Sequence, residues 1–301
     1  MNVLVKNQHY VWRTYLRPWS IREDGKQINT YFIDKKEMGV TSLMNVAQER
    51  FFYEIHPLSD IEIVAAKRFA KQFPEFVQPY ADVLLSAYVA VSKNMIPDQE
   101  KNIYAKNCFE KIYTQIEEYG YKLLECKSRE DLMKIANDDQ CMLYLCVQYG
   151  RTKKMRMNGV NGLRERPLAG QLYDKLFPMT TILYAVTLAH NLSINPTTKY
   201  IFVKNETKIP FITSDQPAIN LFNDDVDEKG NVLSFELYYP TSPSTAIMVS
   251  FAPRIEKYSE IFADEGLVET LNRKICVNAR SYIFSNGTGS AYLQGLVADD
   301  K

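Results

Sequence analysis

Residues 168–205, LAGQLYDKLFPMTTILYAVTLAHNLSINPTTKYIFVKN, decide how the chain is built. Up to Leu192 the stretch is one long apolar run of helical length. From Thr197 the pattern becomes short β-branched and aromatic runs, KYIFVKN the first of them, which favour strands. This change of period splits the 301-residue chain into a helical part before it and a β-rich part after it.

Working back from Leu192, helix signals repeat. Ser59 and Glu62 form a capping-box pattern, and Pro74 closes the helix that they open. PYADVLLSAYVAVSKNM begins with a helix-opening proline. DQEKNIYAKNCFEKIYTQIEEYG is amphipathic and predicts a helix stopping at Gly120. Ser128 and Asp131 cap another. Working forward, PFITSD, FELYYP and TAIMVSF read as strands, and 263–285 as a helix running into an apolar end. The Gly-rich tail after Ser285 reads as loose. Before Ser59, the turn at 23–25 and KQINTYFID suggest a hairpin, and SLMNVAQERFFYEI a short helix. The expected fold class is α+β: a predominantly helical central body, and a small antiparallel β-sheet made by C-terminal strands, with the N-terminal hairpin as a further contributor. One domain is expected, with an N-terminal segment 1–58, a helical body 59–192, a β-rich part 197–251 and the C-terminal helix 263–285.

Composition removes several function classes. Lys plus Arg and Asp plus Glu number 36 each, so a globally basic nucleic-acid binder is disfavoured and only a local patch remains open. No apolar run approaches ~20 residues, so no membrane span is expected. The first residues lack a signal-peptide pattern, which fits the cytoplasm. The five cysteines include no CxxC pair and read as reduced thiols, with no metal and no cofactor expected. The acidic loop 223–231 lacks the ordered ligand spacing of a calcium loop. There is no glycine-rich nucleotide fingerprint.

Three polar islands interrupt this plain background. In NQHYVWRTYLRPWS, His9, Arg13 and Arg17 share a helical face at i, i+4, i+8, and His9 and Arg13 also share a strand face. Paired cationic groups suit an anion. The plainer reading is aromatic packing with the arginines reaching solvent. In QYGRTKKMRMNGVNGLRERP six cations face one glutamate. Gln148 and Arg151 share a helix face there. A helix C-terminus explains two or three of these cations, and phosphate contact would explain the rest. In PFITSDQPAINLF a strand runs into Thr213, Ser214 and Asp215, where a functional group or a simple side-chain turn could sit.

Taken in order, HYVWRTYLRPW, QYGRTKKMR, FITSDQPAI, YYPTSPSTAIMV and LNRKICVNARSYIFS resemble the uncharacterised bacterial family DUF4238 across nearly the whole chain. The resemblance marks His9, Tyr10, Tyr15 and Leu16; Gln148, Arg151 and Thr152; Thr213, Ser214, Asp215 and Pro217; and Pro240, Ser242 and Pro243. Trp12 and Lys153 depart from it, standing where the family pattern usually has proline. It implies that the N-terminal stretch docks on the body and brings His9 near Gln148, Arg151 and Asp215. It carries no established activity. Some members resemble antiphage defence proteins, which implies a defence role.

Two functional readings stand side by side. In one, the protein is a metal-independent nuclease or phosphodiester hydrolase: His9 is the general acid or base, Asp215 its partner, Arg151 the phosphate stabiliser and Gln148 the positioning group. Tyr10, Arg13, Arg17, Thr152, Arg156, Thr213 and Ser214 would then contact substrate. In the other, a non-catalytic sensor binds nucleic acid or a phosphate-bearing ligand through 151–166. The sequence does not fix an oligomeric state.

Overall fold

A computed structural model describes residues 3–228, 232–253 and 255–299. The chain starts with strand β1 (Asn7–His9) and a one-turn helix α1 (Arg13–Leu16), followed by β2 (Gln27–Phe32), β3 (Glu37–Ser42) and β4 (Gln48–Arg50). Seven helices make the body: α2 (Asp60–Ala70), α3 (Gln78–Ser92), α4 (Asp98–Leu124), α5 (Arg129–Ile135), α6 (Asp139–Gly150), α7 (Lys153–Gly162) and α8 (Pro167–Ile194). Then come β5 (Lys199–Asn205), β6 (Thr213–Ser214), β7 (Ile219–Asn220), β8 (Leu237–Ser242), β9 (Thr245–Ser250) and β10 (Tyr258–Ala263). The end is α9 (Glu265–Asn278), β11 (Tyr282–Ser285) and α10 (Ser290–Asp299). The fold is α+β, as the change of period at Thr197 predicts.

Local chemistry explains most boundaries. Ser59 Oγ accepts from the Glu62 amide and Glu62 Oε2 accepts from the Ser59 amide, a complete capping box. Ser128, Asp138 and Thr152 cap α5, α6 and α7 by accepting backbone N–H groups.

Five expectations change. The helix read across SLMNVAQERFFYEI is a single 3₁₀ turn followed by β4, because β4 pairs with β1 in the register His9↔Gln48. Ala47 and Phe51, on either side of β4, take left-handed φ values of 47° and 55°, which end a helix. Next, α4 runs through Gly120 to Leu124. The helix predicted for 263–285 divides into α9 and β11, and the tail read as loose contains α10. Lastly, the C-terminal strands do not form one antiparallel sheet. One sheet has the order β10-β5-β9-β8-β7, with β10 parallel to β5 and the other pairs antiparallel. The N-terminal hairpin β2–β3 joins β11 and β6 in a separate antiparallel sheet. The acidic loop 223–231 is bridged by Val226 and Val232, while its residues 229–231 lie outside the described part.

Helix α6 is buried on nearly every side, by Cys141, Met142, Tyr144, Leu145, Cys146, Val147 and Gln148. It lies between α4 and α8 and touches the sheet where Tyr144 and Tyr239 join hydroxyls at 2.8 Å. The N-terminal stretch docks hard against this body. Tyr15 Oη meets Thr213 Oγ1 at 2.6 Å, and Trp19 Nε1 donates to the Phe211 carbonyl at 2.9 Å. The five cysteines form no disulfide. Among the described residues no helix is long and apolar enough to cross a membrane.

Gly120 shows how closely α4 and α6 approach. A Cβ built there would lie 2.4 Å from the Tyr144 ring, which is itself buried and tied to Tyr239. Alanine gains about 1 kcal/mol of helix propensity, but overpacking at such a site costs ~1–3 kcal/mol or more. Gly120→Ala is therefore expected to lower the urea midpoint. Gly162→Ala, with no atom within 4 Å of the added Cβ, should leave it unchanged or raise it slightly.

Candidate active site

The docking of the N-terminal stretch leaves a cleft of about 520 Å³. One wall is His9, Trp12, Arg13, Thr14 and Arg17, running from β1 past α1. A second is Asp24, Gly25 and Lys26 from the turn before β2, with Ser42, Leu43 and Met44 after β3. The third is Glu110, Thr114 and Glu117 on α4. These three share a helix face at i, i+4, i+7.

The cleft sets unusual protonation states. Burial, then the charge of Arg13, pulls the His9 imidazole down to about 4, although the neighbouring carbonyls of Leu43 and Met44 act the other way. Burial, then the charge of Glu117, pushes Glu110 up to about 7 despite Arg151 and Arg13. The cleft thus favours a neutral imidazole at His9 and makes Glu110 hold its proton to higher pH than an ordinary carboxyl.

Behind Glu117 lies Arg151, which has 0 % exposure. It forms the C-cap of α6, and its Nη2 donates to Glu117 Oε1 at 2.6 Å and to Gln148 Oε1 at 3.3 Å. Its guanidinium sits 5.7 Å from the Tyr113 ring centroid. The Glu117 carboxylate keeps this buried cation charged, although burial alone would favour neutrality. Burial in turn pushes Glu117 upward, and Arg151 opposes that push.

His9, Arg13 and Arg17 thus meet in one cleft, with Gln148 and Arg151 immediately behind it. Asp215 does not join them as His9's partner. Its carboxylate accepts from the backbone N–H groups of Arg280 at 2.8 Å and Ser281 at 2.9 Å, where it fixes the chain between α9 and β11. Burial pushes this acid up to about 6 against the pull of those donors. Among the described residues His9 Nε2 has no hydrogen-bond partner, and no hydrogen bond joins His9 to Asp215, whose two oxygens each accept from a backbone N–H between α9 and β11.

The remaining candidates are held by the fold. Tyr10 packs on Phe52 with ring centroids 5.1 Å apart. Thr152 caps α7 and hydrogen-bonds Gln216. Thr213 is taken by Tyr15, and Ser214 closes a turn onto Gln216. Arg156 pairs with Asp174 at 2.7 Å and lies over Phe52 and Phe177. Lys153 pairs with Glu49 at 2.9 Å, and Lys154 bonds Asn278. Of the six cations in 151–166, only Arg164 and Arg166 are left exposed on the surface without such a role. Sequence reasoning passed over Glu110 and Glu117. Their seven-residue spacing, beside the buried Phe109, Tyr113 and Ile116, was the available signal. Among the described residues no three His, Cys, Asp or Glu side chains gather to hold a metal ion.

A family model described as protein of unknown function (DUF4238) matches residues 178–288, so that part of the chain is similar to that family. The matched span contains Thr213, Ser214 and Asp215 but none of the cleft-lining residues. No curated protein and no solved structure gives a significant match.

The geometry of Asp215 makes a stability prediction. Asp215→Ala leaves the part-buried N–H groups of Arg280 and Ser281 without their acceptor, at ~1–2 kcal/mol each, and should cost about 2–4 kcal/mol in a urea titration. Asp215→Asn retains one acceptor and should cost less. A large loss of activity in Asp215→Asn with the urea midpoint unchanged would contradict this purely architectural role.

Proposed function

We propose that this chain, which carries the DUF4238 signature over residues 178–288, hydrolyses phosphodiester bonds by acid–base catalysis in the cleft of His9 and Glu110. The observation that carries the reading is the coexistence in one cleft of an imidazole kept neutral by burial and a carboxyl kept protonated by burial. Such opposed shifts assign a base and an acid. His9 takes a proton from water as the water oxygen bonds to phosphorus. Glu110 gives its proton to the departing oxygen as the old P–O bond breaks. The sum is one water added across one ester bond.

The rim supports an anionic substrate. Arg13, Arg17 and Lys26 line it, and planar guanidinium groups match phosphate oxygens. Glu117 is already paired with Arg151, so its charge is partly compensated. The scheme draws on these side chains alone, without a metal. The setting proposed with it is the cytoplasm, which cysteines without disulfides suit, and a part in antiphage defence, which rests on the family resemblance.

The active protonation state requires His9 unprotonated and Glu110 protonated. It is populated above about 4 and below about 7, so the pH–rate curve should be bell-shaped with limbs near those values. The assay is cleavage of a fluorogenic single-stranded oligonucleotide and of bis(p-nitrophenyl) phosphate, in the presence of a chelator. Glu110→Gln should lower kcat by about 10²–10⁴ and remove the upper limb, and His9→Ala should remove the lower limb with a similar loss. Oligonucleotide binding without turnover would sink the enzymatic reading in favour of a non-catalytic binding module.

A further inference from the structure

A surface helix ordinarily buries an apolar stripe against the body, but no side chain of α7 is fully buried. Polar bonds hold this helix instead: Thr152 to Gln216, Lys154 to Asn278 and Arg156 to Asp174. Met155, Asn158 and Gly159, at i, i+3 and i+4, line a cavity of about 430 Å³ that opens between α7, the end of α6 and α8. Two glycines make the room. Both lie in helices, where only proline is costlier. A Cβ on Gly159 would stand 2.2 Å from the Tyr173 ring, and one on Gly150 would stand 3.3 Å from Thr181 Cγ2. The space is within the range of small-molecule sites, about 300–1,000 Å³. It shares no lining residue with the cleft of His9 and Glu110.

We propose that this cavity is a second binding site, independent of the hydrolytic reading, for a neutral purine base carried by a nucleoside or by a nucleic-acid strand. Three features select the ligand. The first is the walls. The rings of Tyr149, Tyr173 and Tyr184 line the cavity, and each is steadied by a ring that does not: Phe235 at 6.0 Å, Phe177 at 6.3 Å and Phe73 at 5.0 Å between centroids. Aromatic walls fixed in this way suit a flat π-system. The second is the polar lining. Asn158 and Asn191 bring side-chain amides that hydrogen-bond nothing among the described residues. An amide sets a donor beside an acceptor, the pairing with which asparagine meets the amino group and ring nitrogen along one edge of adenine. An aliphatic chain would suit the apolar floor of Cys146 and Ala185 but would use neither amide. The third is charge. Among the described residues no charged side chain lines the cavity, so a phosphate or carboxylate would leave water without compensation. The base enters, and the sugar stays toward the solvent side, where Tyr184 is 52 % exposed.

Adenosine titrated into the protein calorimetrically, with octanoate as an aliphatic probe, tests this. Adenosine should bind with a Kd below about 1 mM, and at least about tenfold more tightly than octanoate. Asn158→Leu removes one amide at similar size, and Tyr184→Ala removes one wall. Both residues are exposed, so both variants should fold. Each should weaken adenosine binding by about tenfold. Asn158→Leu should do so without weakening octanoate, a split that a general loosening of the fold would not give. No saturable adenosine binding, octanoate binding as tight as adenosine, or an adenosine affinity unchanged in either variant would overturn the site. Once adenosine binds, oligodeoxyadenylate identifies the source of the base. An affinity above that of adenosine that falls in Tyr184→Ala assigns the base to a strand. An affinity indifferent to Tyr184→Ala assigns it to a free nucleoside.

Discussion

A guanidinium shut away from water must have a carboxylate beside it, and for Arg151 that carboxylate is Glu117. Removing one member of such a pair typically costs 3–5 kcal/mol, because the survivor stays buried and charged. The pair joins α4 to the end of α6, and Gly120 lets the same two helices come close enough for it to form. Once the helices are locked at this offset, Glu110, Thr114 and Glu117 all face the same side, and the third wall of the cleft is set. The tyrosines around the guanidinium, Tyr53, Tyr113 and Tyr144, complete an enclosure in which charges act over a low dielectric.

Much of this was legible in the sequence, and the failures share a cause. Helix starts at Ser59 and Ser128 rest on bonds between residues three apart, so they could be read locally. The change from helix to strand after Leu192 is a change of period, which is also local. The stretch after β3 could not be read that way. Gln48–Arg50 is a strand because Asn7–His9 lies beside it, and propensity knows nothing of a partner forty residues away. Gly120 was read as a stop signal, but its missing side chain serves Tyr144. The strand β11 was read as the end of a helix, although it is the strip to which β2 and β6 both attach.

The site divides along the same line. His9, Arg13 and Arg17 stood out because costly groups crowded a chain end, and burial of Trp19 and Tyr15 is what anchors that end. Asp215 stood out equally, but a carboxylate can satisfy backbone as readily as it can serve chemistry. Which of the two it does depends on where Arg280 and Ser281 arrive. The basic run 151–166 looked like a single patch. Folding spends its members on Glu117, Glu49 and Asp174, each from a different part of the chain. Glu110 and Glu117 were visible as a seven-residue spacing. Acids on an amphipathic helix are usually solvated, and only the docked N-terminal stretch roofs this pair over.

That roof is seated by hydrogen bonds between residues 198 and 192 apart in sequence, Tyr15 with Thr213 and Trp19 with Phe211. During synthesis this stretch leaves the ribosome well ahead of the residues on which Tyr15 and Trp19 are seated. At about 5–20 residues per second the wait is roughly ten to forty seconds. Throughout it Tyr15 and Trp19 lack the partners that bury them, and such apolar surface is the kind on which chaperones act. The seat of this stretch is thus completed late in translation, and a ribosome that stalls before Phe211 releases a fragment with every helix of the body and no partner for Tyr15 or Trp19.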